Sequence, residues 1–385
     1  MNHSFWQTLP QPIIGLAPMD GVTDAAFRFI SAKYGRPALH FTEFTHVEGI
    51  CRGIPNVLRN LEYSEIERPV VAQVFGNEPS AFYKVAHIIG ALGFDGIDIN
   101  MGCPDRAVAS RGCGAGLIQT PKLAQEIIRA TYEGTRDFAD GRLLEKIGLS
   151  ETTCQLVRAM ACKNFPPRRL GSLQGTLPIP VSVKTRLGYD RVVIESWIST
   201  LLEMEPSAIT LHGRTLKQGY RGVADWEAIG RAVEIAHTTK TVVLGNGDIL
   251  TQKDARGRIA QYGVAGVLVG RGAMGNPWFF QDNDSVLLSA CERWAVALEH
   301  ATVFDRMRGT IPFTIMRKHL GWYARGKEGG LRSAMVRVES LAEVQQLLTP
   351  VLSLESPYEK TYRCGTTAPE VLQNEEILYN QNGGV

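Results

Sequence analysis

Short apolar runs recur along the first 270 residues, and most are followed by a longer stretch with helical periodicity. Runs of four to seven residues bounded by glycine, proline or asparagine are typical of strands buried on both faces. The predicted strands are residues 13–19, 38–44, 70–75, 96–100, 181–184, 208–212, 241–245 and 266–270. The predicted helices between them are residues 24–34, 80–92, 121–132, 192–203, 226–236 and 252–262. This alternation predicts an α/β fold, either a (β/α)8 TIM barrel or a doubly wound open sheet.

Two segments depart from the alternation. Residues 135–177 lie between the predicted helix at 121–132 and the fifth strand. We interpret them as a solvated insertion with a helix at 150–161 and with Cys154 and Cys162 as packing residues, and contact with RNA is the alternative interpretation. Residues 285–354 have helical patterning, with candidate helices at 286–301, 313–326 and 331–348. We therefore expect a barrel domain over residues 1–280, a smaller C-terminal helical domain over 285–354, and a polar tail over 355–385.

Composition narrows the class of protein. The 385 residues carry a formal net charge of +2, so the chain is not a nucleic-acid binder by overall charge, although a local basic face is compatible with this value. Seven cysteines without a CxxC pair suggest neither a disulfide framework nor a zinc site, and no metal is expected. We see no signal peptide and no apolar run long enough to span a membrane. We expect a cytoplasmic, monomeric protein.

Polar residues stand where the predicted strands end. In a TIM barrel the carboxyl ends of the strands carry the active site, and the loops after strands seven and eight often hold a phosphate. Those two loops here are Asn246-Gly247-Asp248 and Gly270-Arg271, which offer bare backbone N–H groups and a guanidinium. A plain turn with a surface arginine is the alternative interpretation.

The fourth predicted strand ends in a turn, Asn100-Met101-Gly102-Cys103-Pro104. Gly102 and Pro104 flank the cysteine, so Cys103 should lie on a tight turn just beyond the strand. An ordinary thiol is mostly protonated at neutral pH, which suits a general acid. A free cysteine is also commonly a small buried residue, so the turn alone leaves both interpretations open.

The whole set of motifs resembles the tRNA-dihydrouridine synthase family of flavin enzymes. Each motif is weak alone, but their order and spacing together are specific. They are Leu16-Ala17-Pro18-Met19-Asp20-Gly21-Val22-Thr23-Asp24, Thr42-Glu43-Phe44, Gln73-Val74-Phe75-Gly76, Asp98-Ile99-Asn100-Met101-Gly102-Cys103-Pro104, Val183-Lys184-Thr185-Arg186-Leu187-Gly188, His212-Gly213-Arg214-Thr215, Asn246-Gly247-Asp248-Ile249 and Gly270-Arg271-Gly272-Ala273. The resemblance favours the TIM barrel over the open sheet.

The resemblance implies reduction of a uridine C5–C6 double bond in tRNA by bound FMN, with NADPH or NADH as reductant. Hydride would pass from the flavin to C6, and Cys103 matches the family's proton donor to C5. The residues implied to bind the cofactor are Pro18, Met19, Asp20, Gln73, Lys184, His212, Asn246, Gly247, Asp248, Gly270 and Arg271. Lys184 would lie at the N1–O2 edge of the flavin, and Asn100 and Arg186 would contact the uracil.

The resemblance implies that the helical domain grips tRNA, whereas the residues alone leave open an amphipathic helix with a solvated basic face. The predicted helix at 313–326 carries basic and aromatic residues of the kind that contact RNA: Arg317, Lys318, His319, Trp322, Tyr323, Arg325 and, just beyond it, Lys327. The main alternative function is an FMN barrel oxidoreductase that acts on a free pyrimidine or another small molecule. A non-catalytic RNA-binding barrel and a flavin-free lyase with Lys184 as Schiff base also remain open.

Overall fold

A computed structural model describes residues 5–164, 177–281, 289–324 and 329–354. Within these ranges, parallel strands form one sheet: β1 (Ile13–Leu16), β2 (His40–Phe41), β3 (Thr45–His46), β4 (Val70–Phe75), β5 (Gly96–Met101), β6 (Val181–Arg186), β7 (Ala208–His212), β8 (Val242–Asn246) and β9 (Gly266–Val269). Their order is β1-β9-β8-β7-β6-β5-β4-β2, with β3 also paired to β4. The ends meet, because Ala38 N donates to Ile14 O at 2.9 Å and Leu16 N donates to Leu39 O at 3.1 Å. The TIM barrel is confirmed, and the open sheet is excluded.

The second predicted strand, residues 38–44, is two short strands in the structure. β2 and β3 pair with β4 on either side of a bulge, where residues 42–44 lie opposite residues 72–73. Gln73 N donates there to the side-chain oxygen Thr42 Oγ1 at 3.0 Å. A bulge re-aims side chains that regular alternation would place elsewhere, and Phe44 consequently reaches the cavity described below.

Helices cover the outside of the barrel. They are α1 (Ala25–Tyr34), α2 (Val47–Cys51), α3 (Pro55–Leu58), α4 (Pro79–Ala91), α5 (Arg106–Ser110), α6 (Pro121–Ala139), α7 (Glu151–Asn164), α8 (Ile194–Leu202), α9 (Trp226–Ala236) and α10 (Gln252–Tyr262). The six helices predicted between strands are all present, and the predicted cap of α1 is formed by Asp24 Oδ1, which accepts from Phe27 N at 2.8 Å. α2, α3 and α5 were not predicted, because four or five residues show no periodicity.

The predicted insertion contains α7. Ser150 Oγ accepts from Thr153 N at 3.1 Å at the start of this helix, and Thr153 Oγ1 donates to Cys51 O at 3.3 Å, which ties α7 to α2. Cys154 is buried as expected, but Cys162 is exposed, so the prediction that it packs is wrong. Residues 165–176 of the insertion lie outside the described ranges.

Within the described ranges, four α-helices follow the barrel: α11 (Ala290–Met307), α12 (Met316–Tyr323), α13 (Gly329–Met335) and α14 (Leu341–Leu354). The predicted helix at 331–348 is therefore two helices. A second hydrophobic core joins them to the barrel, since Trp294 and Met316 are buried in one cluster with Ala26 and Ile30 of α1. Among the described helices, none is long and apolar enough to cross a membrane. The predicted tail over 355–385 lies outside the described residues.

The predicted RNA-binding face on α12 is largely used for packing. Arg317 donates to Val338 O at 2.7 Å and to Arg337 O at 2.8 Å. These two carbonyl groups lie in the segment between α13 and α14. His319 and Tyr323 are buried, so their predicted exposure to RNA is wrong. The sequence pattern correctly placed these aromatic residues on one helix, but it did not show that they point inward. Their orientation results from the packing of α12 against α1 and α11. Arg325 and Lys327 lie outside the described residues.

Candidate active site

A single cavity of about 740 Å³ opens at the carboxyl ends of the barrel strands. Its size lies in the range typical of cofactor sites. Every predicted site residue lines it: Pro18, Met19, Asp20, Gln73, Asn100, Cys103, Lys184, Arg186, His212, Asn246, Gly247, Asp248, Gly270 and Arg271. Residues from seven different loops and strands are therefore brought to one place by the barrel.

The loop after β1 forms one wall of the cavity, and two hydrogen bonds hold its backbone. Met19 N donates to Thr23 Oγ1 at 3.0 Å, and Gly21 N donates to the Glu43 carboxylate at 2.5 Å. Glu43 comes from the bulge between β2 and β3. Burial, followed by the nearby charge of Asp24, raises the pKa of Glu43 to about 7. The bulge thus holds the backbone that was predicted to line the flavin ring.

The cysteine turn is anchored by Asn100. Asn100 Oδ1 accepts hydrogen bonds from Gly102 N at 3.0 Å and Cys103 N at 2.8 Å, which fixes the turn just beyond β5. Cys103 lines the cavity with a relative exposure of 7%. Burial raises the pKa of the Cys103 thiol, so it stays protonated at neutral pH. Cys113 is also buried, but it is not among the cavity-lining residues. Of these two buried thiols, Cys103 is the one that lines the cavity.

Two cations from β6 lie beside the cysteine turn, because β6 pairs with β5 and Lys184 lies opposite Asn100 in that pairing. Lys184 Nζ donates to Asn246 Oδ1 at 3.2 Å. Burial, followed by the charge of Arg186, lowers the pKa of Lys184 to about 8, so the ammonium form still predominates at pH 7. Arg186 donates to Gly102 O at 2.6 Å, and so links β6 to the cysteine turn. This side of the cavity offers positive charge to an electron-rich ligand.

The two predicted phosphate loops meet at the far end of the cavity. Asp248 has a positive φ of 53° and follows Gly247 with a φ of 128°, so the backbone turns sharply. A Cβ added at Gly247 would lie 2.8 Å from Ala224 Cβ, so only glycine fits this close approach. Backbone N–H groups in such a turn suit an anion.

The Asp248 side chain contacts cations from two other loops. Its oxygens accept from Arg271 Nη2 at 2.7 Å, from Arg214 Nη2 at 2.7 and 2.9 Å, and from Ala224 N at 2.7 Å. Burial acts to raise its pKa, but these donors outweigh burial and lower it. A carboxylate would repel a phosphate directly, so we assign the side chain to holding Arg271 in place.

His212 lies at the end of β7, between the strands that carry Lys184 and Asn246. It lines the cavity with 7% relative exposure, and one of its ring nitrogens, Nε2, lies 3.5 Å from Arg214 Nη1. Burial, followed by the charge of Arg186, lowers the pKa of His212 strongly. The imidazole is therefore neutral at physiological pH and can act as a hydrogen-bonding group.

Four further residues belong to this region but were not among the predicted site residues. Phe44 and Tyr220 line the cavity, Arg214 anchors Asp248, and Asp98 contacts Gln73 beneath it. A local signal existed for Asp98, because it precedes Asn100 by two residues on a strand and therefore faces the same side. Arg214 lies in one of the motifs that carry the resemblance. Its partner Asp248 is 34 residues away, so the sequence does not reveal this contact.

Comparison with known proteins agrees with this arrangement. A sequence model described as "Dihydrouridine synthase (Dus)" matches residues 15–137 and 168–355. The unmatched residues 138–167 fall inside the predicted insertion. The chain is 33% identical to "Probable tRNA-dihydrouridine synthase" of Staphylococcus aureus (strain COL) over 361 residues, 90% of this chain and 95% of that protein.

Other relatives align to the same extent. "Probable tRNA-dihydrouridine synthase 2" of Bacillus subtilis (strain 168) is 32% identical over 359 residues, 90% of this chain and 96% of that protein. Because the family model matches most of the chain and these relatives align along almost their whole length, the chain belongs to the dihydrouridine synthase family.

Proposed function

We propose that this protein reduces the C5–C6 double bond of uridines in tRNA, with FMN as cofactor and Cys103 as proton donor. The observation that carries the proposal is the cavity that is lined by the Cys103 thiol, the Lys184 ammonium and the loops at Gly247 and Arg271, to which we assign the phosphate. Family membership supplies the reaction class. The geometry supplies a protonated thiol, a cation and an anion cradle in one place.

The residues present fit a flavin mononucleotide. The cavity is large enough for the ring system, and the backbone turn at Gly247 forms part of its wall. Arg271, the backbone at Asp248 and the backbone at Gly270 would hold the phosphate and ribityl groups. Gln73 and Lys184 would contact the ring. When bound, FMN would supply the hydride for C6 after reduction by NADPH or NADH.

The chain's own residues would complete the reaction. Arg186 and the second N–H of Asn100 would orient the uracil, since the Asn100 carbonyl oxygen already holds the cysteine turn. The Cys103 thiol would give its proton to C5 of the uracil. Because burial raises the pKa of the thiol, the proton remains available at and above neutral pH.

A uridine in folded tRNA must leave its stack to enter such a cavity. Exposed cations lie on the segments that follow β5 and β7 at the carboxyl ends of the strands: Arg106, Arg111, Lys217 and Arg221. Phosphate contacts at these positions would make binding sensitive to salt. The helical unit would add to the grip, and Lys318 joins it to the barrel through a hydrogen bond to Gly21 O. We propose that residues 285–354 act as the tRNA-binding domain on this basis.

The proposal is tested by the reoxidation of the reduced enzyme. Purified protein loaded with FMN is reduced anaerobically with NADPH, then mixed with an unmodified tRNA transcript or with free uridine. We expect the flavin absorbance to return rapidly with tRNA and hardly at all with uridine. Faster reoxidation by uridine than by tRNA would support the small-molecule oxidoreductase instead.

The phosphate loops lead to a separate prediction. We expect Arg271→Ala to weaken FMN binding about tenfold, because the guanidinium would donate charge-assisted hydrogen bonds to the phosphate. The measurement is a fluorescence titration of the apoprotein with FMN and with riboflavin. Riboflavin lacks the phosphate, so its affinity should not change. An equal loss for both ligands would remove the phosphate from this loop.

A further inference from the structure

The loop after β1 contains a tight turn at the wall of the cavity. Val22 N donates to Met19 O at 3.0 Å, and Gly21 between them has a positive φ of 67°. A four-residue turn of this kind needs a positive φ at its third residue, which glycine adopts without strain. Met19 and Asp20 of the same turn line the cavity. Any group that holds Gly21 therefore helps to place two residues that are predicted to contact the flavin.

Two ionisable side chains hold Gly21, one from the barrel and one from the helical unit (α11–α14). The Gly21 N–H donates to the Glu43 carboxylate at 2.5 Å, and the Gly21 carbonyl oxygen accepts from Lys318 Nζ on α12. A Cβ added at Gly21 would lie 3.3 Å from Lys318 Nζ, so the ammonium lies against the turn. Burial raises the pKa of Asp20, and the nearby charge of Lys318 opposes this rise. Lys318 is not among the cavity-lining residues, so it would act on a ligand through the turn.

The same helix supports a second loop of the cavity. Gly275 lies in the segment that follows β9 and has a positive φ of 68°. A Cβ added there would lie 2.5 Å from the backbone carbonyl group of Trp322 on α12, so this segment packs directly on the backbone of the helix. Met274, the neighbour of Gly275, lines the cavity. Two walls of the cavity thus rest on α12, although no residue of α12 is among those that line it.

We propose that Lys318 is a positioning residue for the flavin, which holds the turn at Gly21 and so makes the helical unit part of the cofactor site. This inference rests on the proposed flavin site and goes beyond the grip on tRNA assigned to the helical unit. Without the ammonium, the turn would be held from the barrel side alone, and a bound flavin would have to order it at a cost in affinity. The cost would concern the ring, because the loops assigned to the phosphate follow β8 and β9.

The test is the dissociation constant of flavin from the full-length protein, measured by fluorescence with FMN and with riboflavin. We expect Lys318→Met to weaken the binding of both flavins about fivefold, the factor that corresponds to one hydrogen bond. The pattern differs from that of Arg271→Ala, which should affect FMN alone. Lys318→Arg keeps a cationic donor and should bind both flavins as the wild type does. The melting temperature of the flavin-free protein should stay unchanged in Lys318→Met, because methionine retains the apolar stem of the side chain.

The matched control is Lys33→Met. Lys33 Nζ also joins the barrel to the helical unit, through an ion pair with Glu299 at 2.6 Å, but Lys33 does not line the cavity or contact the turn. Its replacement should leave the affinity for both flavins unchanged.

Four results would overturn the proposal: wild-type affinity for both flavins in Lys318→Met, a loss confined to FMN, an equal loss in Lys33→Met, or binding in Lys318→Arg as weak as in Lys318→Met. The third of these would mean that any loosening of the contact between the barrel and the helical unit weakens flavin binding. Flavin binding requires no tRNA, so a failure of the proposed reaction on tRNA would produce none of these results.

Discussion

Replacing Cys103 with alanine is expected to lower dihydrouridine formation in tRNA by about 10²- to 10⁴-fold, the usual contribution of a positioned general acid. Cys103 is the buried thiol at the cavity wall, and its raised pKa keeps it protonated. The alanine variant should still bind FMN and should be reduced by NADPH at the wild-type rate. Rapid-mixing measurements of flavin reduction, together with nucleoside analysis of the tRNA, separate the two steps.

The control for this variant is Cys113→Ala. Cys113 is equally buried and lies in the same loop region, but it is not among the residues that line the cavity. Its replacement should leave dihydrouridine formation close to the wild-type level. If Cys103→Ala also retained full activity, the proton would have to come from another group, and the assignment of Cys103 would fail.

The second large effect is expected at Lys184. A buried cation in the cavity would stabilise the negative charge of a reduced flavin, so Lys184→Met should slow flavin reduction by NADPH about a hundredfold. The pH dependence has a definite sign. Only the protonated form carries the charge, and burial with Arg186 nearby lowers the pKa of Lys184 to about 8. The wild-type rate should therefore fall as the pH rises through about 8, whereas an exposed lysine would lose its charge near 10.5.

The matched control for Lys184 is Lys217→Met, which removes an exposed cation on the segment that follows β7. It should keep both the rate and the pH dependence of flavin reduction. The measurement is stopped-flow absorbance across this pH range. Persistence of the fall in rate near pH 8 in Lys184→Met would show that another group titrates there.

The barrel could be predicted because buried parallel strands leave a strong pattern. Runs such as residues 96–100 and 208–212 are apolar, short and closed by polar residues, and the structure places strands there. The break between β2 and β3 was not predictable, because it depends on a hydrogen bond from Gln73 N to the Thr42 side chain on the neighbouring strand. The helical unit was predicted in outline, but tertiary contacts with α1 decided which residues of α12 point inward.

The site residues could be predicted because a barrel brings the carboxyl ends of its strands together. This holds whatever the sequence between the strands. Their individual contacts could not. The sequence places Asp248 in a phosphate loop, yet its carboxylate binds Arg214 and Arg271 from two other loops. Asp98 lies in a predicted strand, and its partners Gln73 and Ser182 come from the neighbouring strands β4 and β6. Partners distant in the chain leave no local pattern.

The central claim is tested most directly by nucleoside mass spectrometry of an unmodified tRNA transcript after incubation with the purified protein, FMN and NADPH. We predict that one or more uridines are converted to dihydrouridine in wild-type protein, and that the product is lost with Cys103→Ala. Consumption of NADPH with every uridine intact would contradict the account, since it would leave a flavin barrel whose substrate is not tRNA.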